Sequence, residues 1–194
     1  MVIIDLPRFI SYAGEDLSIS QNAKHEGWIR HITVKNPIGY KKLSALTAFI
    51  ATIPGIPVIY YGDEIGIAGG ADPDNRRPMR FEGLNIGEQE TLFYAKKIMS
   101  IRKNSLSLIY GNFIFLNKKG DILAFCRKFF KDASIVIFNK SSKITSIDIK
   151  LPEEYTELQF NSNFNSKFSI KNNILSIELE HHSFEILTTN SFEN

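Results

Sequence analysis

Residues 53–79 read IPGIPVIYYGDEIGIAGGADPDNRRPM, and the fold turns on how this stretch is read. Pro54-Gly55 signals a turn, and Pro57 pre-sets φ for entry into an extended segment. Val58, Ile59, Tyr60 and Tyr61 follow as a β-branched and aromatic run, apolar at consecutive positions. Such a run predicts a strand buried on both faces, as in a parallel sheet covered by helices. Gly62 ends it, and a polar, glycine-rich loop follows with Asp63, Glu64, Gly69, Gly70, Asp72, Asp74, Asn75, Arg76 and Arg77. A buried strand emptying into carboxylates and guanidinia has the layout of an α/β active-site rim, where ligand groups lie beyond strand C-termini. A solvated loop carrying surface ion pairs is the alternative that composition leaves open.

Residues 54–66, PGIPVIYYGDEIG, followed by residues 69–79, GGADPDNRRPM, resemble the eighth strand and following loop of the α-amylase family of glycoside hydrolases. The likeness is in particular to the cyclomaltodextrinase, neopullulanase and oligosaccharide-hydrolase branch, and it runs from about Ile3 to about Leu187. It implies the C-terminal part of a (β/α)8 TIM barrel, its last two βα units, followed by an antiparallel β-sandwich. The expected division is residues 1–104 for the barrel part and 105–194 for the sandwich. A complete barrel typically needs roughly 250 residues, more than the 194 of this chain.

Bulk properties fit that class. A net charge of +2 with 43% apolar residues describes an ordinary soluble protein, and no basic field points to nucleic acid. Cys126, the only cysteine, sits in an apolar run and reads as a small core residue, which excludes an intrachain disulfide and a cysteine-based metal cluster. No apolar stretch approaches the length of a membrane span. Met1 to Ile4 is too short, and lacks the basic flank, for a signal peptide.

Upstream of the deciding stretch, Val2, Ile3 and Ile4 predict a very short strand ending at Asp5. The resemblance aligns Asp5 and Arg8 with the second half of the family's seventh-strand motif, Asn-His-Asp followed two residues later by Arg. It implies Asp5 as the third catalytic carboxylate, stabilising charge on the distorted sugar. Ile3 and Ile4 depart from that motif, because Asn and His usually stand there. A helix or turn cap is the structural alternative for Asp5. Phe9 to Ala13 reads as a short helix or turn. Glu15 to Pro37 reads as a long polar loop with one large amphipathic residue, Trp28, suited to anchoring the loop or to stacking on a sugar. His25 and His31 lack a third ligand at metal-like spacing and read as surface residues.

Gly39 to Ile53 carries Tyr40, Leu43, Leu46, Ile50 and Ile53 close to the 3.6 period, predicting a helix with those residues on its apolar face. A second helix is expected over Glu88 to Arg102, its acidic start and basic end matching the macrodipole. From Ser105 the period changes to alternation. Strands are expected at 108–110, 113–116, 122–127 and 134–138, and at 145–151, 168–170, 175–179 and 184–186, where the alternation is clean, one face in and one out. Asn117 to Asp121 reads as a hairpin turn, and Asn161 to Asn173 as a loop or hairpin tip around one strand.

The family cleaves α-glucosidic bonds with retention, using a nucleophile and an acid about 5–5.5 Å apart. The resemblance places that pair on the fourth and fifth strands, upstream of Met1, so the chain by itself is expected to be inactive. It casts Arg8, Asp72 and Arg76 as substrate-binding residues, the last two toward the non-reducing side of the sugar. Asp63 and Glu64 are expected to brace the rim. No cofactor and no metal site are expected, a structural calcium ion staying open for a full-length parent. The expected partners are an α-glucan or maltooligosaccharide and an upstream barrel fragment, not nucleic acid or membrane. A non-catalytic carbohydrate-binding protein and a truncated gene product are the competing readings.

Overall fold

Two antiparallel sheets form the C-terminal half of the computed structural model, which describes residues 6–118 and 120–189. The expected strand Val2–Ile4 and the candidate Asp5 therefore lie outside the described residues. Contacts group the chain into two units, one of Met1–Thr47 with Pro57–Lys97 and one of Ala48–Ile56 with Ile98–Asn194. The division runs through both long helices, whose last turns cluster with the strands.

The β unit contains β1 (Ile114–Asn117), β2 (Ile122–Phe129), β3 (Asp132–Asn139), β4 (Thr145–Lys150), β5 (Phe160–Ser162), β6 (Phe168–Lys171), β7 (Ile174–Leu179) and β8 (Ser183–Thr189). They pair as a five-stranded sheet, β1-β2-β3-β8-β5, and a three-stranded sheet, β4-β7-β6. Alternate residues face the shared core: Ala124, Cys126, Ile135, Ile137 and Leu187 from one sheet, Ile149, Leu175, Ile177 and Leu179 from the other. This is the expected antiparallel sandwich. The two-residue link Asn172-Asn173 between β6 and β7 holds both residues at positive φ (49° and 62°), a conformation that Asn tolerates better than most side chains.

Two strand readings change. Leu106–Tyr110 is a short helix, not a strand. Its Ser107 N–H donates to Asp132 Oδ1 at 2.9 Å, which satisfies a helix-start donor that alternation in the sequence does not register. β5 was hidden in a stretch rich in Asn and Ser. β3, expected as a strand, is buried at every position, so both its faces are covered. On its second face a row of rings, Phe113, Phe125, Phe138 and Phe184, joins Phe49 at centroid spacings of 4.7–6.2 Å. An aromatic layer of this kind covers the sheet twice.

Two buried arginines tie the β unit together. Arg102 donates to the carbonyls of Ala51 (2.6 Å), Gly55 (2.6 Å) and Leu108 (2.9 Å). Arg127 donates to the carbonyls of Thr52, Leu108, Gly111 and Asn112. The guanidinia thus occupy carbonyls that end helices, replacing the solvent those groups would otherwise need. Arg102, read as part of the basic end of its helix, is 8% exposed.

The first unit holds α1 (Phe9–Ala13), α2 (Ala23–Ile29), most of α3 (Ile38–Thr52) and most of α4 (Ile86–Lys103); Leu106–Tyr110 of the β unit is α5. The buried stripe of α3 is Gly39, Leu43, Ser44, Thr47, Ala48, Ala51 and Thr52, while Leu46 and Ile50 are only half-buried. The expected face is rotated because small residues, not the largest apolar ones, occupy the side that packs tightest. On α4, Glu88, Thr91, Ala95, Ile98 and Arg102 form the buried stripe at three- and four-residue spacing. Its start is closed by a reciprocal cap, Asn85 N–H to Glu88 Oε2 at 2.8 Å and Glu88 N–H to Asn85 Oδ1 at 3.0 Å.

Residues 15–37 are not wholly irregular. α2 lies within them, and Leu17, Ala23 and Ile32 form a small core with Tyr12 and Ala71. Asp16 organises the segment: it accepts from Arg30 Nη1 (2.6 Å) and the Thr33 N–H (2.6 Å), and Lys35 lies 2.7 Å away. Burial works against its charge, yet the bonds from Lys35, Thr33 and Arg30 hold the carboxyl well below the usual range.

Candidate functional site

Val58 to Tyr61 forms no strand, and Tyr61 already belongs to a turn; Val58 is 54% exposed and Ile56 is 90% exposed. The expected doubly buried strand is not found: among the described residues no strand pairs with this run, and the Tyr60 carbonyl instead accepts the Asp63 N–H of the following turn at 3.0 Å. The loop beyond it is nonetheless ordered by local chemistry. A 3-10 turn over Asp63–Ile65 begins after Gly62 in the left-handed region (φ 86°), and a second covers Asp74–Arg76. Gly69 and Gly70 let the loop fold on itself. A Cβ at Gly69 would meet the Asp74 carbonyl oxygen at 2.6 Å, and one at Gly70 the Ala23 carbonyl oxygen at 2.4 Å.

The four charged residues of the DPDNRR stretch separate into two kinds. Asp74 and Arg77 are turned inward as a two-pronged pair, Nε to Oδ1 and Nη2 to Oδ2, both at 2.9 Å. Asp74 Oδ2 also accepts the Gly70 N–H at 2.7 Å, and Arg77 Nη1 donates to the Ile32 carbonyl at 2.7 Å. These two build the loop. Asp72 and Arg76 instead face outward, with side chains 38% and 49% exposed and Nε 2.7 Å from Oδ1. A surface pair of this kind contributes little stability. It presents a planar fork of donors and a carboxylate together on a partly exposed face.

Arg8, expected to touch substrate, is only 3% exposed. Its Nε donates to the Asn75 carbonyl (2.8 Å), and its Nη1 donates to the Tyr61 carbonyl (2.8 Å) and to Asp63 Oδ1 (2.9 Å). The guanidinium carbon lies 4.2 Å from the centre of the Tyr60 ring and 5.1 Å from that of Tyr61. Burial pushes the Asp63 carboxyl above its ordinary pKa even though the Arg8 charge pulls it down. Asp63 thus braces the rim through an arginine, in the manner its position suggested.

Two neighbours were given no role by the sequence reading. Ser11 Oγ donates to the Gly69 carbonyl and accepts the Gly69 N–H, both at 2.9 Å. Asn75 is 1% exposed, and its Nδ2 donates to the Leu6 carbonyl at 2.8 Å. Neither carries a signal that singles it out among ordinary loop polar residues. Trp28 is 70% exposed and so does not anchor its loop. His25 and His31 are exposed, and His31 Nε2 lies 3.4 Å from Arg77 Nη1. Among the described residues no group of three or more His, Cys, Asp or Glu could hold a metal ion. A cavity in this unit is bordered by Asp74, Arg77, Arg80, Asn85 and Glu88, whose polar groups are paired with one another.

No protein-family model matches the chain. It is 41% identical to a cyclomaltodextrinase of Thermoanaerobacter pseudethanolicus over 114 residues, 59% of this chain and 20% of that protein. It is 27% identical to a maltogenic α-amylase of Bacillus acidopullulyticus over 187 residues, 94% of this chain and 28% of that protein. Among solved structures, an Anoxybacillus α-amylase superposes with a TM-score of 0.70 at 27% identity, over 80% of this chain and 34% of its own. The relatives are glycosidases of the α-amylase family, and the resemblance read from the loop is to their C-terminal portion. This chain therefore spans about a fifth to under a third of the relatives' length.

Proposed function

We propose that the chain is the C-terminal portion of a retaining α-amylase-family hydrolase that cleaves α-glucosidic bonds in α-glucans or maltooligosaccharides. In this reading residues 1–104 belong to the end of a (β/α)8 barrel, whose other units lie outside this chain, and 105–194 to the C-terminal sandwich. The observation that carries it is the sorting of charge on the rim. Asp74, Arg77 and Arg8 hold the loop, and Asp72 pairs with Arg76 on a partly exposed face, in a chain whose relatives are α-amylase-family glycosidases. Asp5 takes the role of the third carboxylate. The nucleophile and the acid come from the missing units. Asp63 is a poor nucleophile because the Arg8 guanidinium already occupies it.

The test is direct. The purified chain should release no reducing sugar from maltotriose, pullulan or cyclodextrin. Release that disappears in Asp63→Asn or Glu64→Gln would place the catalytic pair within this chain and overturn the assignment.

A further inference from the structure

We infer that Arg8 is a positioning residue that holds the rim loop in register and acts on sugar only through Asp72 and Arg76; this rests on the hydrolase reading above. The segment from Leu6 to Ser11 meets the loop at three separated places. At the near end Arg8 Nη1 takes the Tyr61 carbonyl and Asp63. In the middle the Arg8 N–H donates to the Gly69 carbonyl at 3.2 Å, and Ser11 Oγ bonds both the N–H and the C=O of Gly69. At the far end Arg8 Nε takes the Asn75 carbonyl, and Asn75 Nδ2 returns a bond to the Leu6 carbonyl.

Asn75 lies inside the turn Asp74–Arg76, so the backbone that carries Arg76 is fixed by the guanidinium of Arg8. One planar group thereby sets the distance between the first and last parts of a loop fifteen residues long, Tyr61 to Asn75. Lysine cannot do this, because a single ammonium lacks the fork that reaches two directions at once. The rings of Tyr60 and Tyr61 wall the guanidinium, and its remaining Nη2 is buried with no hydrogen-bond partner among the described residues. A group so enclosed is placed to hold the loop, while the exposed Arg76 is placed to meet a ligand.

Two measurements decide the matter. In the isolated chain, amide hydrogen exchange across residues 61–77 should quicken on the order of tenfold or more in Arg8→Lys, the scale of losing charge-assisted bonds. Exchange in β2 and β3 should be unchanged, which shows that the variant folds. Equal exchange in wild type and variant, or a wild-type loop already exchanging without protection, overturns the clamp. In the enzyme completed by its barrel units, Arg8→Lys should raise KM on the order of tenfold with kcat little changed. Arg8→Lys should then add nothing further in an Asp72→Ala/Arg76→Ala background. Independent, multiplying effects in that background would show that Arg8 meets sugar directly and would refute the inference. If the completed wild-type enzyme hydrolyses nothing, the hydrolase reading falls, while exchange in the isolated chain still decides the clamp.

Discussion

Glu185→Gln should destabilise the sandwich far more than an isosteric change in one strand ordinarily does. Glu185 is fully buried in β8, and its two carboxylate oxygens accept from four backbone N–H groups and one hydroxyl. The backbone donors belong to Asn163, Phe164, Ser166 and Ile186, and the hydroxyl to Ser162, so the carboxylate holds the turn after β5. An amide keeps one acceptor oxygen and points an NH2 at groups that are themselves donors. The Ser162 hydroxyl can rotate to accept, but the Ser166 N–H then faces a donor at 3.0 Å from the old oxygen position. Losing the charge-assisted character of these bonds and orphaning one donor costs about 2–4 kcal/mol, since water reaches part of the turn. For a unit of this size that is a fall in Tm of roughly 10–20 °C. Native-state hydrogen exchange at β3 amides, compared between wild type and variant, reads this difference without interference from the helical unit. A change below about 0.5 kcal/mol would mean that water replaces the carboxylate at no cost and that the turn does not depend on it.

Other outcomes follow from the same contacts. Because the folded-state pKa of Asp16 is depressed, its contribution is full above the unfolded value of about 3.9 and is lost as pH falls below it. Protease sensitivity of residues 6–47 should therefore rise below about pH 4 in wild type and respond less to pH in Asp16→Asn. Arg127→Met removes the donor from four carbonyls and should lower the unfolding free energy by about 2–4 kcal/mol in urea titration; an unchanged midpoint would show those carbonyls find other donors. In the completed enzyme Asp5→Asn should lower kcat and kcat/KM together, whereas Arg76→Ala should chiefly raise KM, by about 1–3 kcal/mol of binding. An untouched kcat in Asp5→Asn would retire that carboxylate from catalysis.

Much of the β unit was legible in the sequence, because alternation reports directly on which side of a strand meets a core. Seven of the eight strands sit where that alternation fell. β5 was missed since Phe160–Ser162 pairs with β8 through backbone bonds, which side-chain identity does not encode. Leu106–Tyr110 was misread for a related reason: three apolar residues in a row fit either period, and the Asp132 acceptor that favours the helix lies 25 residues away.

What the sequence determined by itself was the order and chemistry of the rim: a turn at Pro54-Gly55, an apolar run, then DPDNRR, enough to name a family likeness and, through it, to propose Asp72 and Arg76. Only the tertiary structure decided how that charge is used. Arg76 and Arg77 are adjacent and chemically identical, yet Arg77 is folded inward onto Asp74 and the Ile32 carbonyl while Arg76 faces solvent. Arg8 was marked as a sugar contact by its place in a motif, but three acceptors from residues 53 to 67 positions away claim its guanidinium. The Val58–Tyr61 run shows the converse, since its composition calls for a strand and pairing requires neighbours that composition cannot supply. Local sequence sets what a residue can do; which partner comes within hydrogen-bond reach is settled by distant parts of the chain.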